Sequence, residues 1–117
     1  MRIESIDPDL AKGWLAGPWE SSLPVSVGFA TRAIDDPHVH ARVTEIFLVA
    51  RGAVSMRVER QTVDLRAGDV LFVEPGEPHT ILDGSDDLRL FVLHVPGVSG
   101  EEAAADRSAV PRAVLGL

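Results

Sequence analysis

Two stretches of this sequence combine polar residues with apolar, strand-like runs. The first stretch, residues 38–52, reads HVHARVTEIFLVARG. Its opening histidines, His38 and His40, are two positions apart. Successive side chains of a β-strand point to opposite faces, so these two imidazoles share one face and can converge on one point. The stretch therefore predicts a strand that presents a pair of histidines to a common site.

Glu45 follows His40 by five residues in a run that is otherwise apolar. A carboxylate at an inward position is costly unless a cation or a hydrogen-bond donor compensates it. Two arrangements satisfy this constraint. Either Glu45 faces the core and meets a metal ion, or it faces solvent and leaves Ile46 and Leu48 to fill the core.

The second stretch, residues 68–79, reads GDVLFVEPGEPH. Gly68 is expected to support a turn into a strand, and the Pro-Gly pair at 75–76 is typical of a β-turn. Pro78 restricts the backbone immediately before His79. Three neutral imidazoles and one carboxylate suit a divalent first-row transition-metal ion, namely iron, manganese, nickel, cobalt, copper or zinc.

Turn signals divide the whole chain into short runs rich in Val, Ile, Leu, Phe and Thr. Many short strands with regular turns predict an all-β sandwich or barrel. The expected organisation is an N-terminal segment (1–23) packed on a β-barrel (24–96), followed by a C-terminal tail (97–117). The strand-like runs cover residues 25–31, 44–50, 53–59, 63–65, 70–73, 80–82 and 88–95.

Two of these runs, 44–50 and 90–93, are apolar on both faces, so something must cover their outer faces. The candidates are the N-terminal segment, with Trp14 and Trp19, and a second subunit; we expect both, and hence a homodimer. The alternative is a monomer whose tail folds back. The two tryptophans are expected to serve as hydrophobic cover or dimer contact rather than as a lid over a pocket.

The last twenty residues differ in character from the strands. Residues 100–107 suit a short helix, with Ser99 as N-cap and acidic residues in the first turn. Pro111 is expected to end or redirect this helix. No functional residue is predicted in the tail.

Composition narrows the possible functions of the 117-residue chain. Its formal net charge of −7 disfavours nucleic acid and anionic membranes as partners. The absence of Cys and Tyr excludes disulfides, thiolate ligands and tyrosyl chemistry. No apolar run approaches the roughly 18 residues of a membrane helix, and no signal peptide opens the sequence, so we expect a cytoplasmic protein.

The order and spacing of the two stretches resemble the two motifs of the cupin superfamily, and particularly its small single-domain bacterial members of the conserved-barrel type 2 class. The resemblance covers roughly residues 24–95. It implies a double-stranded β-helix, or jelly-roll barrel, that holds one divalent metal ion per chain through His38, His40, Glu45 and His79. The sequence departs from the family motifs at Arg32, Glu74 and Asp83, none of which is an implied ligand.

Similar small cupins include dioxygenases, isomerases and decarboxylases that act on small polar or phenolic molecules. The resemblance therefore implies a small-molecule metalloenzyme, dioxygenase- or isomerase-like. The alternative is a non-catalytic ligand-binding or sensor domain, like that of arabinose regulators, with a structural or loosely held metal. His94 and Arg32 are possible contacts to substrate or to the ligands. The preferred interpretation, however, is that His94 is a polar residue at the end of its strand and that Arg32 is a solvated residue at the rim. The predicted cavity is lined by Val27, Phe29, Phe47, Val49, Met56, Val58, Phe72 and Ile81.

Overall fold

The computed structural model describes residues 1–117 and confirms the all-β prediction. The strands are β1 (Lys12–Ala16), β2 (Ser26–Ala30), β3 (His38–His40), β4 (Thr44–Arg51), β5 (Ala53–Val58), β6 (Gln61–Arg66), β7 (Val70–Val73), β8 (His79–Gly84), β9 (Arg89–Val95) and β10 (Arg107–Ala109). They form two antiparallel sheets. The first has the order β1-β2-β9-β4-β7, and the second has the order β10-β3-β8-β5-β6.

The hydrophobic core lies between the two sheets and follows the alternation of their strands. Phe47 and Val49 project inward from β4, while Val54 and Met56 project inward from β5. Leu90 of β9 completes this layer and is fully buried. Because the inward residues alternate with outward ones, each strand contributes one apolar face to the core.

None of the eight residues predicted to line a cavity does so: five of them (Phe47, Val49, Met56, Val58 and Ile81) belong to the packed core or lie against it. The other three lie on an outer face. On β2 the inward residues are Ser26, Gly28 and Ala30, and this places Val27 and Phe29 on the outer face of the first sheet. Phe72 of β7 is 58% exposed on that same face. Alternation identifies residues that share a face, but it does not say which face is buried, and the prediction chose the wrong one here.

The C-terminal tail contains the predicted short helix, α1 (Gly100–Asp106). Ser99 occupies the N-cap position, but its side chain makes no capping hydrogen bond. The helix ends at Asp106 rather than near Pro111, because the chain then becomes extended and pairs with β3 as β10. A 3₁₀ turn (Arg112–Leu115) follows, and Leu115 is fully buried.

The N-terminal segment joins the first sheet through β1, which pairs with β2 in antiparallel register. Beside it, Arg2 donates two hydrogen bonds to the carboxylate of Glu20, at 2.8 and 2.7 Å. None of the helices is both long and apolar enough to cross a membrane.

Truncation of the central core residue gives a test of this packing. We expect Met56→Ala to lower the free energy of unfolding by about 2–5 kcal/mol, because it removes a fully buried side chain and leaves a cavity. The neighbouring Ser55→Ala, on the opposite face of β5, should change it by less than about 0.5 kcal/mol. Urea denaturation measures both, and equal effects would contradict the assigned faces.

Candidate metal centre

Four histidine side chains surround the carboxylate of Glu45 between the two sheets. Glu45 Oε1 lies 2.6 Å from His79 Nε2, 2.8 Å from His40 Nε2 and 3.3 Å from His38 Nε2. Its other oxygen, Oε2, lies 2.9 Å from His94 Nε2. Glu45 is 5% exposed, so the structure selects the arrangement in which this carboxylate faces the interior.

The register of the strands explains this convergence. In the first sheet, Glu45 of β4 lies directly opposite His94 of β9, and directly opposed residues of antiparallel strands project to the same side. In the second sheet, His38 of β3 lies opposite His79 of β8. His40 shares the face of His38 because the two are separated by one residue. Both sheets therefore contribute side chains to one buried point.

The turn that delivers His79 is built as the sequence predicted. The N–H of Glu77 donates to the carbonyl of Glu74 at 3.2 Å, which closes a β-turn around the Pro-Gly pair. Gly76 has a φ of 86°, a value that glycine adopts without strain. Its N–H donates to the carbonyl oxygen of His40 at 2.8 Å, so the turn is fixed directly to the strand that carries the other two histidines.

Each of the three clustered imidazoles is oriented through its Nδ1 atom. His38 Nδ1 lies 2.7 Å from the carbonyl oxygen of Asp36, and His79 Nδ1 lies 2.9 Å from that of Glu77. His40 Nδ1 lies 2.7 Å from Oδ2 of Asp106. These oxygens are acceptors, so all three Nδ1 atoms carry the proton and donate it. In a neutral imidazole the Nε2 lone pair is then available, and it points towards Glu45.

This arrangement meets the requirements of a metal site. One donor atom from each of His38, His40, Glu45 and His79 lies within 4.8 Å of the others, and all four residues are buried. His40 Nε2 has no hydrogen-bond partner, although it is close to Glu45, because the two groups are not aligned for one. Electron-rich atoms gathered away from water need a cation or protons between them. The cluster can hold a divalent ion.

The pKa shifts of Glu45 and His40 also indicate that the cluster requires positive charge. Burial raises the pKa of the Glu45 carboxyl, but its close contacts with the four histidines outweigh burial and hold that pKa far below its ordinary value. Burial lowers the pKa of His40, whereas Glu45 and Asp106 raise it, and the net shift is upward. The site therefore stabilises a negative charge on Glu45 only together with positive charge beside it.

A cavity of about 380 Å³ opens beside the cluster. His40 and His94 form its floor, and Trp14 and Trp19 form an edge-to-face pair across it, with ring centroids 5.8 Å apart. The remaining wall comes from the C-terminal tail, through Val98, Ser99, Gly100, Ala103, Asp106 and Arg107. Its volume is at the small end of the roughly 300–1,000 Å³ that ligand pockets span.

The tryptophans thus line the cavity instead of covering the outer face of the first sheet, and the lid interpretation is the one that the structure favours. Gly28 makes this possible, because a Cβ there would lie 2.9 Å from the Trp14 ring. Similarly, a Cβ at Gly17 would collide with the ring of Trp19.

Of the two remaining predicted site residues, one lies in the site and the other does not. His94 is next to last in β9, but its side chain contacts Glu45 and packs edge-on against Trp14, so it belongs to the site. Arg32 is exposed and does not line the cavity. Sequence reasoning missed Asp106 in the tail, which no local spacing connects to His40.

Two facing antiparallel sheets with a buried His-His-Glu-His cluster define a small cupin, as the sequence resemblance implied. The family model described as AraC-like ligand binding domain matches residues 21–116. The chain belongs to this family. A search of curated proteins finds no significant match.

Solved structures support the fold. A Streptomyces PAC13 variant with uridine superimposes with a TM-score of 0.68 at 16% identity, covering 86% of this chain and 79% of that one. Pac13, described as a unique nucleoside dehydratase, gives 0.66 at 16% identity, with 86% and 78% covered. A cupin 2 conserved barrel domain protein from Salinispora arenicola gives 0.64 at 16% identity, with 81% and 88% covered.

Elemental analysis tests the metal centre. We expect wild-type protein prepared without chelator or His tag to hold about one transition-metal ion per chain, and His79→Ala to lose it, because a buried ligand is removed. Arg32→Ala is the matched control and should keep its metal, since Arg32 is exposed and outside the cavity. Equal metal content in folded wild-type and His79→Ala protein would contradict the assignment.

Proposed function

We propose that this protein is a divalent-metal-dependent enzyme that catalyses proton transfer on a small planar molecule, in the manner of an isomerase or a dehydratase. The observation that carries the proposal is the position of the cavity. Its floor is made by His40, from the cluster, and by His94, which contacts Glu45. A bound molecule would therefore rest directly against the cluster.

In this proposal His38, His40, Glu45 and His79 hold the metal ion. When bound, the ion supplies Lewis acidity that polarises an oxygen of the substrate. The protein contributes the orientation of the imidazoles through their Nδ1 hydrogen bonds, and a largely buried floor to the cavity. The burial of the cluster lowers the local dielectric constant, which strengthens charge interactions of this kind.

His94 is the proposed proton carrier. Its Nε2 lies 2.9 Å from Glu45 Oε2, which orients the ring, and its Nδ1 has no hydrogen-bond partner within the chain. The ring forms part of the cavity wall. An imidazole held by a carboxylate at one nitrogen and open to a ligand at the other is suited to accept and return a proton.

The cavity favours a planar substrate that carries a negative charge or a carbonyl group. The perpendicular rings of Trp14 and Trp19 offer surfaces for stacking or edge contacts. Arg107 is the one cationic residue of the wall, and its guanidinium makes only a 3.9 Å contact with Asp35. The carboxylate of Asp106 is already engaged by three donors.

The comparisons support the proposal at the level of fold. The Pac13 structures are described as those of a nucleoside dehydratase and, for the variant, of a complex with uridine. A planar base in a small cupin agrees with the aromatic cavity described above.

A second candidate function is a non-catalytic ligand sensor. The family to which the chain belongs, named for AraC-like ligand binding, favours it. The two functions differ in one observable property. A sensor binds its ligand and leaves it unchanged, whereas the enzyme alters it.

The test uses the two tryptophans as reporters, because the chain has only two and both line the cavity. Phenylpyruvate, salicylate and uridine are titrated against metal-loaded protein while tryptophan fluorescence is followed. Compounds that bind are then incubated in D₂O, and deuterium incorporation and product formation are followed by NMR. Oxygen uptake is recorded in parallel, since it would indicate a dioxygenase instead.

We expect at least one probe to bind and to exchange a proton with solvent, and His94→Gln to keep binding but to slow exchange by at least about 100-fold. Arg107→Ala should weaken binding of the carboxylate probes more than that of uridine. Tight binding of a probe without exchange, products or oxygen uptake would support the sensor and contradict the enzyme.

We further propose that the protein is a homodimer joined through the outer face of the first sheet. Phe72, Val70 and Val95 on this face are all substantially exposed. They adjoin a half-buried layer of Ile46, Leu48, Phe91 and Leu93. A continuous apolar sheet face of this kind is rare on monomers and suits a two-fold contact with a second copy.

Phe72→Glu should convert the dimer to a monomer, because it introduces a charge in place of the most exposed apolar side chain of the proposed contact. The matched control is Gln61→Glu, which adds the same charge to an exposed position on the second sheet and should leave the dimer intact. Light scattering after size-exclusion chromatography measures the mass. A wild-type protein that is monomeric, or a dimeric Phe72→Glu, would contradict the proposal.

A further inference from the structure

The last residue of α1, Asp106, is buried and uses both carboxylate oxygens within the protein. Its Oδ2 accepts a hydrogen bond from His40 Nδ1 at 2.7 Å. Its Oδ1 accepts from the backbone N–H groups of Arg42 at 2.7 Å and Val43 at 3.2 Å. A single carboxylate thus contacts one member of the cluster and the turn that leads from it to Glu45.

We propose that Asp106 is a positioning residue that fixes the protonation site and orientation of His40 and thereby couples docking of the C-terminal tail to metal affinity. The inference rests on the metal-dependent function proposed above. A carboxylate only accepts here, so it requires the proton of His40 to sit on Nδ1 and leaves Nε2 free for the ion.

The backbone around Asp106 holds its carboxylate in place. The carbonyl oxygen of Asp106 accepts a hydrogen bond from the N–H of Ala41 at 2.9 Å. The chain then continues as β10, in which Arg107 lies directly opposite His40 in the ladder with β3. Side-chain and main-chain contacts therefore tie Asp106 to the end of β3 and to the turn that follows it, and they hold its carboxylate against His40.

The far end of the tail is anchored independently. Leu115 is fully buried, and its carbonyl oxygen accepts a hydrogen bond from Arg57 Nε at 2.8 Å. Arg60 donates to the carbonyl oxygen of Ala113 at 3.3 Å. With the tail fixed on both sides of β10, any ion that binds through His40 also stabilises the docked tail, and the docked tail in turn favours the ion. Such coupling is reciprocal by thermodynamic necessity.

A purely structural role for Asp106, as a cap for the turn at residues 41–43, makes a different prediction. In Asp106→Asn the side-chain oxygen must still face the N–H groups of Arg42 and Val43, because these are fixed donors. The amide NH₂ then faces His40 Nδ1. Two donors cannot share that contact, so His40 must release the Nδ1 proton and carry it on Nε2, where it blocks the metal. A cap role alone would leave His40 unaffected.

The experiment compares wild-type protein with Asp106→Asn in two measurements. The ¹⁵N resonances of the His40 ring, in metal-free and zinc-loaded protein, report which nitrogen carries a proton. Competition titration with a chromophoric chelator gives the affinity for zinc. We expect a protonated Nδ1 in wild type, an unprotonated Nδ1 in the variant, and a loss of zinc affinity of about 10–100-fold.

Glu101→Gln is the matched control, because it removes one charge from an exposed position of the same helix. It should keep the wild-type zinc affinity and ring resonances. An Asp106→Asn protein that binds zinc as tightly as wild type would overturn the proposal. So would an unprotonated His40 Nδ1 in wild type, a result that decides the matter even where the variant does not fold. If wild type takes up no metal, the proposed function fails, while the ring resonances still test the role of Asp106.

Discussion

One buried carboxylate, Glu45, imposes the main constraint on this structure. It lies within 3.3 Å of an Nε2 atom from each of four histidines, in a region from which water is largely excluded. Such an assembly is unfavourable until positive charge enters it. Three features hold the imidazoles around Glu45 despite this energetic cost. They are the Pro-Gly turn, the register of β3 with β8 and the Nδ1 hydrogen bonds. The barrel stabilises a geometry that the isolated side chains would avoid.

The two sheets and the C-terminal tail contribute different parts of the site around Glu45. The second sheet supplies three imidazoles, whose rings are oriented by backbone carbonyls or by Asp106. The first sheet supplies Glu45 and His94, together with Trp14 at the cavity. The tail closes the remaining side. Strands therefore hold the cluster, while α1, Trp14 of β1 and the turn that carries Trp19 form the part of the wall that faces a ligand.

The sequence was sufficient for those features that depend on local spacing. The His-x-His pair, the isolated Glu45 and the Pro-Gly turn before His79 are each visible within a dozen residues, and together they indicated both the fold and the cluster. The contacts of Asp106 and His94 were not predictable in this way, because they join residues 66 and 49 positions apart in sequence. Phe29 shows a different limit. Its periodicity was evident, but only the packing of the second sheet decides which face of β2 is inside.

The pairing of β10 with β3 also has a consequence for how the protein is made. The four candidate ligands end at His79, so a growing chain carries the whole set before Asp106 is synthesised. Until the tail is added, β3 is an edge strand and His40 has no fixed partner on Nδ1. The fully oriented His40 therefore exists only in the finished barrel, after the tail has been synthesised and has paired with β3.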